Sequence, residues 1–152
     1  MKKFIIFLFC IILFSCSSKP EFEKHISFKN NSWYRFKKLN FEIPVNKLNR
    51  DYDLFFTIKY NSDLTVNRLP LHVIIDTPSG EERIMEYKLK LLDKNDKPLG
   101  EKQNNFWTVE LKLREDFSFH KKGICKIEIE NLNPKIETSG IIEAVLSMKK
   151  AK

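Results

Sequence analysis

From Trp33 onward, apolar and polar residues alternate with a period close to two, the spacing of a strand with one face buried and one face wet. In "KLNFEIPV", Leu39, Phe41 and Ile43 share one face, with Asn40 and Glu42 on the other. In "DLFFTIKY", Leu54, Phe56, Ile58 and Tyr60 oppose Phe55, Thr57 and Lys59. "LPLHVIID" is apolar on nearly both faces, as suits a strand in the interior of a sheet. Pro78 and Gly80 in "DTPSGE" take the second and fourth places of a type I turn, so the chain should double back there. "RIMEYKLKLLD" fits two periods: Met85, Tyr87, Leu89 and Leu91 make a strand face, whereas Ile84, Tyr87, Lys88 and Leu91 would line a helix. Strand is favoured because turn formers flank the run and Tyr, Ile and Leu pack well on a pleated surface. "DKNDKPLGEKQNN" reads as a loop. After it, "FWTVELKL" aligns Trp107, Val109, Leu111 and Leu113, "ICKIEIENL" opposes Ile127 and Ile129 to Lys126, Glu128 and Glu130, and "GIIEAVLSMKK" closes the chain as a strand, with helix as the weaker option. The pattern predicts an all-β fold, an antiparallel β-sandwich of about seven or eight strands, in one domain over residues 32–152.

The N-terminus follows a different rule. "MKKFIIFLFCIILFS" is two lysines followed by an apolar stretch shorter than the roughly 20 residues a spanning helix needs, which is the layout of a signal peptide over residues 1–15. Leu13 and Ser15 precede Cys16 in a pattern that resembles the bacterial lipobox, where the cysteine thiol accepts a diacylglycerol and becomes the new N-terminus. Phe14 departs from the smaller residue usual there. Cys10 competes poorly, since Phe9 precedes it and apolar residues continue beyond it. Cys16 is therefore the expected lipid-attachment residue. Residues 16–31, polar and mixed in charge, are expected to be the lipidated N-terminus and a tether. Double acylation suffices for stable attachment where a single chain is marginal.

Charge and chemistry narrow the function further. Loss of the signal peptide removes two lysines and no acid, taking the formal net charge from +7 to +5. The remaining basic residues are interspersed with acids, so no nucleic-acid partner is expected. Of the three cysteines, Cys125 is left without an intramolecular partner and, in an alternating run, is expected to be buried and inert. His25, His72 and His120 lie far apart with no ligand spacing, so no metal site is expected. No phosphate loop, nucleophile elbow or paired catalytic carboxylate stands out. No catalytic residue, cofactor-binding residue or enzymatic activity is expected. Trp33, Tyr34, Phe106 and Trp107 could form a sugar-binding platform, although aromatics supply much of a small domain's core.

From about Tyr52 to Met148 the chain resembles the GldH gliding motility lipoproteins of the Bacteroidota. The words that carry the resemblance are "YDLFFTIKYNSD", "TPSGE", "LLDKNDKPLGE", then Trp107, Gly123 and Gly140-Ile141, in order and spacing. Lys59, Leu64, Pro98 and Val145 depart from the residues the family tends to have. The resemblance implies a lipid-anchored envelope protein, a non-catalytic accessory or assembly subunit of the gliding motility and type IX secretion machinery. Its partners would be the outer membrane, reached through the N-terminal lipid on the periplasmic face in preference to the cell surface, and other envelope lipoproteins or motility and secretion proteins. Palmitate would be among the acyl groups on Cys16. The alternative is a lipid-anchored glycan-binding β-sandwich module, for which Trp33 and Trp107 would have to lie exposed side by side.

Overall fold

The structure, a computed structural model, describes residues 19–152. The expected signal peptide and Cys16 lie outside the described residues. Eleven strands follow in chain order: β1 Phe22–Ser27, β2 Ser32–Tyr34, β3 Leu39–Val45, β4 Asp51–Tyr60, β5 Arg68–Asp76, β6 Glu82–Lys90, β7 Glu101–Gln103, β8 Phe106–Ser118, β9 Gly123–Asn131, β10 Glu137–Ser139 and β11 Ile141–Lys150. A short turn at Lys29–Asn31 joins the first two. Every pairing is antiparallel.

Two sheets make the sandwich. The first runs β1-β11-β4-β8-β7, the second β3-β9-β5-β6, and a separate ribbon pairs β10 with β2. The alternation that predicts each long strand also sets its inward face. Leu39, Phe41, Ile43 and Val45 of β3 meet Leu54, Phe56, Ile58 and Tyr60 of β4 in one core, each of these eight residues at most 2% exposed. β5 is interior to its sheet, between β9 and β6, which accounts for its apolar character on both faces. Pro44 lies on β3 at a sheet edge, where a missing N–H breaks no ladder. The two sheets are also tied by hydrogen bonds: Tyr87 Oη of β6 donates to the Leu113 carbonyl of β8 at 2.5 Å, and Lys24 Nζ of β1 donates to the Asn40 carbonyl of β3 at 3.3 Å.

The seven long strands expected from the alternation are all present, including β6 at the ambiguous run and β11 at the close. Pro78 and Gly80 sit in the expected turn, with the Gly80 N–H donating to the Thr77 carbonyl at 2.9 Å. Four short strands were not expected. Part of the presumed tether forms β1, an edge strand held in register with β11 from Phe22↔Met148 to Ser27↔Glu143, because Phe22 and Ile26 pack against the core. The presumed loop after Leu92 contains β7, paired with β8. β2 and β10 form the ribbon, which covers core positions Trp33 and Thr138, both fully buried.

Connections divide the molecule into two ends. The chain enters at Glu21, whose N–H donates to the Met148 carbonyl at 2.8 Å, beside the loops 46–50, 77–81 and 119–122. The opposite, distal end gathers the loops 61–67 and 91–100, the β7–β8 hairpin turn, and the segments 34–38 and 132–136.

Candidate functional site

The distal end carries the densest set of specific contacts. Tyr60 closes β4, and its hydroxyl lies 2.6 Å from both the Leu91 and the Leu99 carbonyl oxygens. One phenolic proton serves two acceptors. Burial pushes the Tyr60 pKa up to about 12, so the hydroxyl keeps that proton through the physiological range. The Leu99 N–H returns a bond to the Leu91 carbonyl at 2.8 Å, and Leu92 bridges Pro98. The loop between is shaped by Asp93, whose carboxylate accepts the N–H groups of Asn95 at 2.7 Å and Lys97 at 2.9 Å, the self-bonding turn that Asp favours. Asn67 Nδ2 donates to Asp96 at 3.0 Å and so ties this loop to the β4–β5 connection.

Two glycines allow these segments to touch. Gly140 has φ +84, and a Cβ there would lie 2.3 Å from the Leu64 backbone nitrogen. Gly100 has φ +87, and a Cβ would lie 2.1 Å from the Thr108 carbonyl oxygen. Neither position has room for a side chain. A cleft of about 320 Å³ opens between the two loops, lined by Asn61, Leu64, Leu92, Asp96, Pro98 and Trp107 among others. Leu64 and Pro98 both line this cleft.

The aromatic residues do not form a platform. Trp33 is fully buried; its ring stacks on Phe28 at 5.2 Å and its Nε1 donates to the Lys37 carbonyl at 2.8 Å. Trp107 is half-buried, stacked on Tyr60 at 6.1 Å, with Lys102 Nζ 5.4 Å from its ring centroid. Phe106 is half-buried under Lys59, 4.9 Å away. Tyr34 is exposed, on a different element.

The other candidates disperse over the molecule. Cys125 is fully buried and unpaired, and burial pushes its thiol up to about 12, so it is neither nucleophile nor ligand at neutral pH. His25 bridges Glu23 at 3.0 Å and Glu143 at 3.2 Å through its two ring nitrogens. Among the described residues no group of three His, Cys, Asp or Glu side chains is placed to hold a metal ion, and no helix is long and apolar enough to cross a membrane. Lys94, Asp96 and Lys97 stand exposed on the distal loop. The sequence reading missed Tyr60 as a clamp, since it counted the residue only as an apolar strand position. It also missed why Gly100 and Gly140 stand where they do, although both fall in the words that carried the resemblance.

The sequence profile of the GldH lipoproteins matches residues 21–145, from the entry of β1 to the middle of β11. The chain belongs to the GldH lipoprotein family. It is 28% identical over 145 residues to the gliding motility lipoprotein GldH of Flavobacterium johnsoniae, covering 95% of this chain and 87% of that one. It is 29% identical over 137 residues to a GldH homolog of Christiangramia forsetii, covering 82% and 76%. Among solved structures, a GH115 4-O-methyl-α-glucuronidase aligns at a TM-score of 0.48 and 13% identity over 88% of this chain and 18% of that one. A cellulose-specific carbohydrate-binding module, CBM28, aligns at 0.45 and 11% over 86% and 73%. Scores this low carry neither a fold assignment nor a ligand to this GldH family chain.

Proposed function

We propose that this protein is a lipid-anchored, non-catalytic assembly subunit of the gliding motility apparatus and its associated type IX secretion machinery. The family match over residues 21–145 carries the reading, together with relatives named gliding motility lipoproteins. Cys16 is the proposed lipid-attachment residue, with the outer membrane, periplasmic face, as the proposed address. Four residues lie between Cys16 and Glu21, five chain steps with a reach of at most about 18 Å. That tether holds the entry end of the sandwich close to the bilayer and turns the distal loops away from it.

The distal end suits contact better than chemistry. Its loops are fixed by Tyr60, Asp93 and the two crowded glycines, and rigidly held loops commonly carry recognition. The alternative glycan-binding reading loses its supporting feature, because Trp33 is buried and Trp107 lies under Lys102.

Three experiments test the proposal. Cys16→Ser should abolish palmitate labelling and detergent-phase partitioning, and retained labelling would overturn the anchor. Exchange of Lys94 and Lys97 for alanine together with Asp96→Asn, which tolerates the positive φ of 59° at that position and keeps an oxygen for Asn67 Nδ2, should leave stability within about 0.5 kcal/mol, as exposed substitutions usually do, while weakening colony spreading or adhesin secretion in a gliding host. Deletion of the whole gene from such a host should abolish both; normal spreading and secretion would rule out the machinery role.

A further inference from the structure

Five large apolar side chains are well exposed among the described residues: Tyr34, Phe36, Ile84, Ile124 and Ile136. Ile84 on β6 and Ile124 on β9 sit singly, and scattered exposed hydrophobics need no explanation. Tyr34, Phe36 and Ile136 are different, because the fold brings their two backbone segments, some hundred residues apart, side by side at one corner of the distal end. Tyr34 pairs with Glu137 in the β2–β10 ribbon, and the Arg35 N–H donates to the Ile136 carbonyl at 2.8 Å. Phe36 is 78% exposed and Ile136 68%. Their display is rigid. The turn is closed by the Lys37 N–H donating to the Tyr34 carbonyl at 2.9 Å, and it is pinned from below by buried Trp33, whose Nε1 donates to the Lys37 carbonyl at 2.8 Å. An apolar knob on a fixed base loses little ordering entropy on binding.

Its rim is basic. Lys38 is held by Glu128 at 2.8 Å and Glu130 at 4.0 Å, but Arg35, Lys37 and Lys135 form no ion pair among the described residues, with Glu137, the cross-strand partner of Tyr34, as the acid within the ribbon itself. The knob belongs to the distal end: β3 begins at Leu39 and runs seven residues toward the entry end, about 20 Å of strand.

We propose that Tyr34, Phe36 and Ile136, with Arg35, Lys37 and Lys135, form a docking knob for a protein partner that offers an apolar pocket rimmed by carboxylates. The inference rests on the lipid-anchored assembly reading, which places the knob on the side facing away from the bilayer. An aromatic in a desolvated pocket surrounded by charge complementarity is the arrangement that concentrates binding energy.

The experiment uses the full lipidated chain in its own cells. Benzoylphenylalanine replaces Phe36, and, as the control, Ile84, which is comparably exposed at 59%. Irradiation should give one discrete protein adduct at position 36, at least about tenfold above position 84, with the crosslinked peptide of the partner rich in both apolar and acidic residues. Adding Arg35→Glu and Lys37→Glu to the labelled chain should cut that adduct at least about tenfold, since like charges juxtaposed at an interface are strongly unfavourable. In a separate strain, Phe36→Ala should lower co-isolation of the identified partner by about 30-fold, the size expected for a hot-spot residue. Adducts to lipid would assign the knob to a membrane surface, and adducts to a second copy of this chain would assign it to self-association; either overturns the proposal. So would equal yields at positions 36 and 84, or an adduct indifferent to charge reversal. The adduct is read independently of motility, so a charge-sensitive partner in a host whose deletion strain still spreads would keep the docking knob and remove the machinery role.

Discussion

Gly80 and Gly140 share nearly the same backbone conformation, φ +87 and φ +84, but not the same surroundings. A Cβ on Gly80 would meet nothing within 4 Å, whereas one on Gly140 would lie 2.3 Å from the Leu64 nitrogen, 2.5 Å from the Leu64 Cα and 2.8 Å from the Asp63 carbonyl carbon. The pair therefore separates backbone strain from crowding. An alanine held at positive φ costs about 1–2 kcal/mol, and the stiffer unfolded chain returns about 0.4–1 kcal/mol. Gly80→Ala should thus destabilise by roughly 0–1.5 kcal/mol. At Gly140 the clashing atoms are all backbone and cannot rotate away. Overpacking adds about 1–3 kcal/mol, so Gly140→Ala should lose about 1–3 kcal/mol more than Gly80→Ala. Urea unfolding of both variants beside the wild type measures the difference directly. With slopes of about 1–3 kcal/mol per molar, the Gly140→Ala midpoint should fall clearly below that of Gly80→Ala. Equal midpoints would refute the claim that the β10–β11 turn is locked against the β4–β5 connection, and with it the rigidity of the distal end.

Three further outcomes follow from individual side chains. Tyr60→Phe removes the one donor to the Leu99 carbonyl while the Leu91 carbonyl keeps the Leu99 N–H, so stability should drop by about 1–2 kcal/mol; amide exchange at Leu99 should accelerate, and unchanged exchange would dismiss the clamp. Cys125, buried with its thiol pushed up to about 12, should resist a thiol reagent in the native state and react once denaturant is added. Rapid native labelling would mean that β9 is in another register, since a one-residue slip turns every side chain over. The His25 pKa is raised, chiefly by its hydrogen bond to Glu23 and also by Glu143. Its contribution to β1 is therefore complete below about pH 6.5 and lost as pH rises through the higher folded value. Urea stability should show a small alkaline loss, under about 1 kcal/mol for a half-exposed pair, and His25→Gln should erase it.

The long strands were legible because each buries one face against the other sheet, and that burial imposes the period of two along β3, β4, β5, β6, β8, β9 and β11. The short strands have no such face. β7 reads Glu-Lys-Gln and is exposed throughout, so nothing but its hydrogen bonds to β8 makes it a strand. β10 buries one residue, Thr138, and β2 buries two neighbours, Ser32 and Trp33, and no period of two can be read from either. Thr138 is polar because it accepts a hydrogen bond from buried Asn131 Nδ2 at 3.0 Å, which hid a core position behind a loop-like composition. β1 hides its period differently: Lys24 stands between Phe22 and Ile26 on the inward face, where its ammonium reaches over the Phe41 ring at 5.9 Å to the Asn40 carbonyl. A lysine can occupy that place only at a sheet edge, with its stem along apolar surface and its head in contact with polar atoms.

The same physics explains what could and could not be read of the surfaces that matter. The distal loop was visible as a run of turn formers, because Asp93, Pro98 and Gly100 are local devices whose effect does not depend on distant residues. The docking knob was invisible for the opposite reason. Phe36 and Ile136 stand in segments without periodicity, and each alone is an unremarked surface apolar residue. Only the β2–β10 pairing sets them side by side, and that pairing depends on Trp33 being drawn into the core against Phe28 and Phe56. The residue that looked most like a sugar platform is thus the one that builds the base of a different surface, and its burial is the reason that surface is rigid.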